Sequence, residues 1–207
     1  HLMRPGVAKP GKYPIIQKAI DSAVGTGPIQ EHFLNWLAVV LQKRVKTKTA
    51  WILHGTYGSG KGVLLHDVLQ PILGAEYCGI TPASSLQSNF NGWKENKLIM
   101  MIDEIEVDIF TKGNMEGELQ NVITEVSQTI NKKGVNQYTC DSYLNLIFSS
   151  NKSQPVRIPM NDRRFNVGMY QWNRWMTTVD EIEVQLPKER EAFMHYIMNR
   201  VADVDRA

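Results

Sequence analysis

The 207-residue sequence contains no run of about 18 or more apolar residues, so we predict no helix that spans a membrane. Its first residues lack the charged, apolar and small-residue succession of a secretory signal, which favours a cytoplasmic protein. Only two cysteines are present, and Cys78 and Cys140 lie far apart and outside any CxxC pair. We interpret both as reduced thiols, without a disulfide or a structural metal site.

The sequence also lacks a strong net charge, repeats and low-complexity tracts. A formal net charge of +2 neither requires nor excludes a nucleic acid partner, because local basic patches decide that interaction. The basic stretch 43–48 is interpreted as a solvated loop, with a nucleic acid contact as the alternative. His54, His66 and His195 do not have the spacing of metal ligands, so we predict no metal site built on histidine.

Apolar runs of two kinds alternate along the chain and predict its fold. Apolar residues at helical spacing predict helices over 15–24, 28–42, 61–73, 115–130 and 187–204, and short continuous runs predict strands over 51–54, 98–102, 143–149 and 164–169. This alternation is typical of an α/β protein with a central, mostly parallel sheet flanked by helices. We divide the chain into an N-terminal arm and helical segment (1–47), a core (48–170) and a C-terminal helical segment (171–207).

A glycine-rich loop joins the first predicted strand to the helix that follows it. It fits the phosphate-loop pattern G-x-x-x-x-G-K and reads Gly55-Thr56-Tyr57-Gly58-Ser59-Gly60-Lys61-Gly62. Glycines let the backbone N–H groups point at phosphate oxygens, the helix N-terminus attracts the same anion, and Lys61 would reach the β- and γ-phosphates. We therefore predict an ATP-binding loop that extends as far as Val63, in a fold of the P-loop NTPase class.

Gly62 departs from the general phosphate-loop motif. That motif has Ser or Thr at this position, and the hydroxyl group is a ligand of Mg²⁺. The chain must therefore hold Mg²⁺ by other groups, such as Asp103, water and ATP itself.

An acidic pair follows the predicted strand over 98–102. Asp103 is predicted to hold Mg²⁺, and Glu104 is predicted to act as a general base on the attacking water. Small-molecule kinases of this class often need no such Glu, because an acceptor hydroxyl replaces the water, so the pair favours hydrolysis. We interpret Glu106 and Asp108, which continue the acidic run, as part of a solvated loop.

Two further polar positions complete the predicted site. Asn151 ends the strand over 143–149 and is predicted to hydrogen-bond the γ-phosphate or the attacking water. Arg163 and Arg164 follow in Asn161-Asp162-Arg163-Arg164-Phe165, and one guanidinium from a neighbouring subunit would stabilise the charge on the transferred phosphoryl group. The sequence does not decide which arginine has this role.

In chain order, these elements are similar to those of superfamily 3 helicases. The similar segments are G-T-Y-G-S-G-K-G, I-M-M-I-D-E, N-K-K-G followed by L-I-F-S-S-N, and D-R-R-F. The chain resembles more closely the helicase-type ATPase domain of phage and mobile-element replication proteins, which is often fused to a primase or primase-polymerase. The resemblance covers about residues 48–170, and members of that group commonly carry G-K-G in the phosphate loop.

The resemblance implies an AAA+-like core, ATP and Mg²⁺ bound between the subunits of a ring, a hexamer in that family, and single-stranded DNA in the centre. It also implies a phage- or mobile-element-encoded protein of a bacterial or archaeal host. A β-hairpin of the family places basic residues toward the pore, and the matching residues here are Lys132 and Lys133, with Gly134 at the turn. Tyr138 would stack on a base or pack against the hairpin, and packing is favoured.

The sequence therefore favours an ATP-dependent DNA helicase or translocase domain of a replication protein. A non-hydrolysing assembly or DNA-binding module of a primase-polymerase is the main alternative, and a small-molecule phosphotransferase is a weaker one. Trp172 and Trp175 flank Arg174, and we predict that they pack on the core and do not form a base-stacking platform.

Overall fold

The computed structural model describes residues 8–105, 115–154, 158 and 162–207. Glu106 and Asp108 of the predicted acidic loop lie outside the described residues. The same holds for Asn161 and for residues 1–7 of the predicted arm.

The core of the described structure is a five-stranded parallel sheet, with a separate two-stranded hairpin beside it. The strands are β1 Ala50–His54, β2 Cys78–Pro82, β3 Ile99–Asp103, β4 Ser127–Ile130, β5 Tyr138–Asp141, β6 Asn145–Ser150 and β7 Phe165–Val167. The sheet has the order β2-β3-β6-β1-β7, and all of its pairings are parallel, whereas β4 and β5 pair antiparallel. The carboxyl ends of β1, β3 and β6 therefore meet at one edge, where ligands bind in such folds.

Helices cover both faces of this sheet. They are α1 Pro14–Val24, α2 Pro28–Lys43, α3 formed by the consecutive segments Lys61–Val63, Leu64–Leu69 (a π-helical stretch) and Gln70–Leu73, α4 Met115–Thr124, and α5 Leu186–Asn199, which a π-helical stretch Glu181–Gln185 precedes. Short 3₁₀ turns lie at Ala83–Gln87, Gly92–Lys94 and Val204–Arg206. Proline opens α1 and α2 within the first turn, where its missing N–H leaves no helical hydrogen bond unmade.

Two apolar clusters sandwich the sheet, and strand β1 shows how the sequence specifies them. Trp51 and Leu53 enter the cluster that contains residues of α1, α2, α3 and α5, whereas Ala50 and Ile52 enter the cluster that contains residues of α4. Successive side chains of a strand point to opposite faces, so a wholly apolar strand is buried on both sides. The first cluster draws residues from all three of the predicted segments. The predicted α/β fold is confirmed.

The predicted helix over 115–130 is wrong in its second half. The helix α4 ends at Thr124, and Ser127–Ile130 forms β4, which pairs with Tyr138–Asp141. Only Ile130 of β4 is fully buried, so the strand has no apolar alternation that would reveal it. Pairing with β5 across the hairpin determines its conformation.

Other boundaries differ less. Strand β2 was not predicted, and β6 begins at Asn145 because Tyr143 is exposed. The last helix ends at Asn199 and not at 204. Among the described residues, none of the helices combines the length and the apolar character that a membrane span requires.

Candidate functional site

The predicted phosphate loop lies at the carboxyl edge of the sheet, between β1 and α3. Gly58 and Gly60 have φ values of 76° and 93°, in the left-handed region that favours glycine. In the described part of the chain, the N–H groups of these two glycines have no acceptor. Free amides at the start of a helix are the arrangement that holds phosphate oxygens.

The segment after β7 holds this loop in place through backbone hydrogen bonds. Thr56 N donates to Gln171 O at 2.8 Å, and Gln171 N donates to His54 O at 3.0 Å. Further along, Trp175 N donates to Gly58 O at 2.8 Å, and its ring lies beside Gly60. We call residues 168–175 the loop clamp.

The close approach of the loop clamp explains why residue 55 is glycine. A Cβ at Gly55 would lie 2.6 Å from Gln171 Cβ and 2.7 Å from Gln171 O, so Gly55→Ala is expected to destabilise the fold by about 1–3 kcal/mol. The thermal unfolding midpoint of Gly55→Ala should be lower than that of the parent protein. Gly62→Ala is the matched control, because a Cβ there meets nothing within 4 Å and alanine favours the helix. Equal midpoints for the two variants would contradict the proposed clash.

Lys61 connects the loop to the end of strand β6. Its buried ammonium donates to Gly55 O at 3.0 Å, Thr56 O at 3.2 Å, Ser59 Oγ at 3.1 Å and Asn151 Oδ1 at 3.2 Å. Desolvation lowers the pKa of Lys61, whereas the nearby charge of Asp103 opposes that shift. The structure thus places Lys61, Asn151 and Asp103 together, as the sequence predicted.

Asp103 ends β3 beside these groups. Ser149 Oγ donates to Asp103 Oδ1, which orients the carboxylate, and Ser150 Oγ donates to Ile105 O at 2.8 Å. The described residues contain no group of three or more His, Cys, Asp or Glu side chains that could hold a metal ion. The single carboxylate of Asp103, together with the phosphates of a nucleotide, fits Mg²⁺. Proteins commonly bind this ion through one or two carboxylates and the phosphates of the substrate.

Glu104 follows Asp103 in a strained backbone conformation. Its φ is 57°, which is uncommon for a residue other than glycine, and its side chain is exposed at the same sheet edge. Ile105 N donates to Ser149 O at 2.9 Å and holds the chain in this turn. Left-handed residues of this kind cluster at functional sites, where the surrounding structure maintains them.

Arg163 and Arg164 do not lie near the phosphate loop of their own chain. Ala50 N donates to Arg164 O at 2.7 Å, so Arg164 lies at the amino end of β1, about 16 Å from Gly55 at about 3.3 Å per residue. Arg164 Nη1 pairs with Asp162 Oδ2 at 2.8 Å, whereas Arg163 is exposed. The structure therefore does not bring either arginine to the phosphate loop of its own chain.

The predicted basic hairpin is present as β4 and β5. Its turn includes Lys132, Lys133 and Gly134, with Val135 N donating to Lys132 O at 3.2 Å and Gly134 at φ 78°. Lys133 is at the exposed tip. The Lys132 ammonium and the Tyr138 hydroxyl both contact Glu95, which lowers the pKa of Glu95 and raises that of Lys132. Tyr138 opens β5, and its hydroxyl group thus joins the hairpin to the loop that carries Glu95.

The sequence did not reveal the segment that supports the hairpin turn. Asn91 N donates to Asn131 O at 3.0 Å, Asn131 N donates to Asn91 Oδ1 at 2.8 Å, and Asn91 Nδ2 donates to Thr129 O at 3.0 Å. These bonds attach the loop between β2 and β3 to the hairpin. No local sequence pattern marks Asn91 or Glu95, because their partners are distant in the chain.

The two tryptophans behave differently from each other. Trp175 packs against the main apolar cluster, as predicted, but packing on the core is the wrong interpretation for Trp172, which is 76% exposed. The Trp172 ring pairs with the Tyr170 ring in an edge-to-face arrangement, with centroids 4.5 Å apart. His54 is buried and hydrogen-bonded to Ser153 O and Gly168 O, which agrees with a structural role.

Comparison with known proteins identifies the family. The model of a family of unknown function, DUF5906, matches residues 53–164, which include the phosphate loop, the acidic pair, the hairpin and both arginines. The chain belongs to the DUF5906 family.

The DUF5906 chain is similar to a DNA primase-polymerase of a phage. It is 33% identical over 171 residues to the DNA primase-polymerase of Nitratiruptor phage NrS-1, which is 80% of this chain and 23% of that protein. The apo structure of the NrS-1 C-terminal region matches with a TM-score of 0.86 at 29% identity, over 100% of this chain and 51% of that one. An A form apo structure of the same region matches with a TM-score of 0.82, over 100% of this chain and 50% of that one.

A viral helicase supports the fold at lower similarity. JCV helicase matches with a TM-score of 0.55 and 14% identity, over 91% of this chain and 55% of that one, which concerns the fold alone. The predicted resemblance to replication proteins of phages is confirmed. The DUF5906 chain spans 23% of the length of its curated relative and about half of the solved NrS-1 chains.

Proposed function

We propose that this domain is an ATP-dependent motor of a DNA replication protein, which hydrolyses ATP to move single-stranded DNA. The observation that carries the proposal is the contact between Lys61 Nζ and Asn151 Oδ1 at 3.2 Å, beside Asp103. It brings the phosphate loop and the polar ends of two strands to one edge of the sheet. The relationship to a phage primase-polymerase supports a role in DNA replication.

In this mechanism the loop amides and Lys61 hold the triphosphate of ATP. Glu104 accepts a proton from a water molecule whose oxygen bonds to the γ-phosphorus, while the bond from that phosphorus to the β–γ bridging oxygen breaks. ADP and phosphate are the products. Asn151 orients the water or senses the γ-phosphate. Mg²⁺, held by Asp103 and the phosphates, would neutralise charge on the phosphoryl oxygens.

The arginines extend the mechanism to a neighbouring subunit. Since Arg163 and Arg164 lie far from the loop of their own chain, one of them would complete the site of the next subunit in a ring, which we take to be a hexamer. ATPase activity would then depend on assembly. Measurement of ATP turnover with and without single-stranded DNA, together with the mass in solution, tests this proposal. A monomer with no turnover under both conditions would refute it.

A non-hydrolysing assembly module is the second candidate, and Gly62 is the observation that favours it. Gly62 is exposed and has open space around its Cβ position, so no hydroxyl group stands at the usual position of the Mg²⁺ ligand. Such a module would bind ATP and form a ring, but it would not turn ATP over. The same turnover measurement separates the two candidates.

The hairpin tip is expected to contact the DNA backbone through Lys133. Lys133→Ala should weaken binding of single-stranded DNA uniformly across sequences, because one phosphate contact is lost. The slope of the logarithm of the binding constant against the logarithm of the salt concentration should become shallower by about 0.7. Lys132→Ala should have a smaller effect, since the Lys132 ammonium is paired with Glu95. Fluorescence anisotropy with a labelled oligonucleotide measures both. If Lys133→Ala leaves the DNA affinity and its salt dependence unchanged, the hairpin tip does not contact the DNA.

A further inference from the structure

Two lysines that the proposed mechanism does not use meet at the base of the hairpin. Lys46 precedes β1 in the basic stretch 43–48, and Lys94 lies in the 3₁₀ turn before β3. Both line a cavity of about 280 Å³ between α4 and the hairpin, together with the side chains of Asn121, Gln128 and Ser142. A second cavity of about 270 Å³ adjoins it and shares Lys94, Asn91 and Asn121.

Within the described residues, the positive charges in this cavity are incompletely compensated. Lys46 Nζ donates to Glu125 O at 2.8 Å and to Ser142 Oγ at 2.9 Å, which leaves one of its three protons available. The Lys94 ammonium has no hydrogen-bond acceptor and no carboxylate at ion-pair distance in the described structure. Glu125 lines the first cavity and Glu118 lines the second, but neither carboxylate forms an ion pair with Lys46 or Lys94 in the described structure.

Burial makes these charges costly. Desolvation is the main cause that lowers the pKa of Lys46 to about 8, and the charge of Lys94 lowers it further. Desolvation also lowers the pKa of Lys94, against the opposing effects of Cys140 and Glu118. A bound anion would offset this cost, because neither ammonium group forms an ion pair with a carboxylate of the described residues.

The position of the cavities relative to the hairpin indicates which anion binds. Asn91, which lines both cavities, also holds the hairpin turn through Thr129 and Asn131. Gln128 and Thr129 of β4 also line the first cavity, so this cavity borders the hairpin that carries Lys133. We infer that Lys46 and Lys94 bind a backbone phosphate of the single strand whose path passes the hairpin tip. This inference rests on the proposed DNA-binding function.

Lys94→Gln tests the inference with little risk to folding, because the Lys94 ammonium makes no hydrogen bond within the described structure. Loss of one phosphate contact to single-stranded DNA should reduce the salt slope by about 0.7 and the affinity about fivefold at about 0.1 M salt. Lys188→Gln is the matched control, since it removes the same charge from an exposed position on α5. Thermal unfolding checks that both variants fold as the parent does.

A second measurement uses the reactivity of the two amines. A lysine with a lowered pKa is more often neutral and acylates faster, so mass spectrometry after brief acylation near pH 8 should find Lys46 and Lys94 modified. A dT oligonucleotide should protect them, and it should protect Lys188 much less. Protection by inorganic pyrophosphate but not by the oligonucleotide would overturn the assignment to DNA in favour of a free phosphate compound.

The outcomes distinguish this inference from the proposed function. A DNA affinity and salt slope for Lys94→Gln equal to those of Lys188→Gln, while Lys133→Ala weakens binding, would overturn the cavity site and leave the proposed function intact. Absence of DNA binding by the parent chain at low salt would instead refute the proposed function, and the inference with it. A loss specific to Lys94→Gln, with protection by the oligonucleotide, supports both.

Discussion

Lys61→Ala is expected to reduce ATP hydrolysis by about 10²-fold or more. The ammonium of Lys61 is the buried positive charge at the loop, and no other cation among the described residues contacts Gly55 O, Thr56 O or Asn151. Removal of one preorganised group that stabilises charge in the transition state commonly costs about 10²–10³-fold in rate. Steady-state phosphate release measures the rate, and equilibrium binding of a fluorescent ATP analogue measures the accompanying loss of affinity.

The control for this variant must separate chemistry from loop stability. Lys188→Ala removes an exposed lysine of α5 and should leave hydrolysis unchanged. The thermal midpoint of Lys61→Ala shows whether loss of the four contacts of its ammonium unfolds the loop region. Hydrolysis at the parent rate by a folded Lys61→Ala protein would exclude the loop as the ATP site.

Glu104→Gln should separate ATP binding from ATP hydrolysis. The amide keeps the size of the side chain but cannot accept the proton of the attacking water, and general-base catalysis commonly contributes about 10²–10⁴-fold. We therefore expect turnover to fall by about that factor while the nucleotide still binds. Single-turnover kinetics with radiolabelled ATP measure the chemical step, and the fluorescent analogue measures binding.

Glu191→Gln, at an exposed position on α5, is the matched control for the loss of one carboxylate. If Glu104→Gln hydrolyses ATP as fast as Glu191→Gln does, then Glu104 is not the base. If Glu104→Gln is active but Lys61→Ala is inactive in the same assay, the assignment of the phosphate loop as the ATP site still holds. The two variants therefore test the two residues independently.

The sequence predicted the parts of the site that are encoded locally. The phosphate loop is a contiguous pattern between a strand and a helix, Asp103 ends the apolar run of β3, and Asn151 directly follows the buried strand β6. Because the carboxyl ends of parallel strands meet at one edge, residues distant in sequence could be placed together before the structure was known. The alternation of apolar runs likewise predicted the layers of the fold.

The sequence did not predict contacts that depend on distant backbone atoms. The loop clamp bonds to the phosphate loop through the main chain of Gln171 and Trp175, so no side-chain pattern encodes it. The role of Glu95 depends on Lys132 and Tyr138 of the hairpin, and an exposed glutamate gives no local indication of such partners. Strand β4 escaped prediction for another reason: it has no apolar alternation, and its conformation depends on pairing with β5 across the hairpin.

The loop clamp has a mechanical consequence. One short, continuous segment of backbone runs from Arg163 and Arg164 through β7 to the loop clamp. There the carbonyl of Gln171 and the amide of Trp175 form hydrogen bonds with the phosphate loop. Any shift of the loop as nucleotide enters or leaves would pull directly on this segment. In the ring that we propose, nucleotide binding in one protomer would thereby shift the arginines that complete the site of the next protomer, and hydrolysis would pass from one subunit to the next.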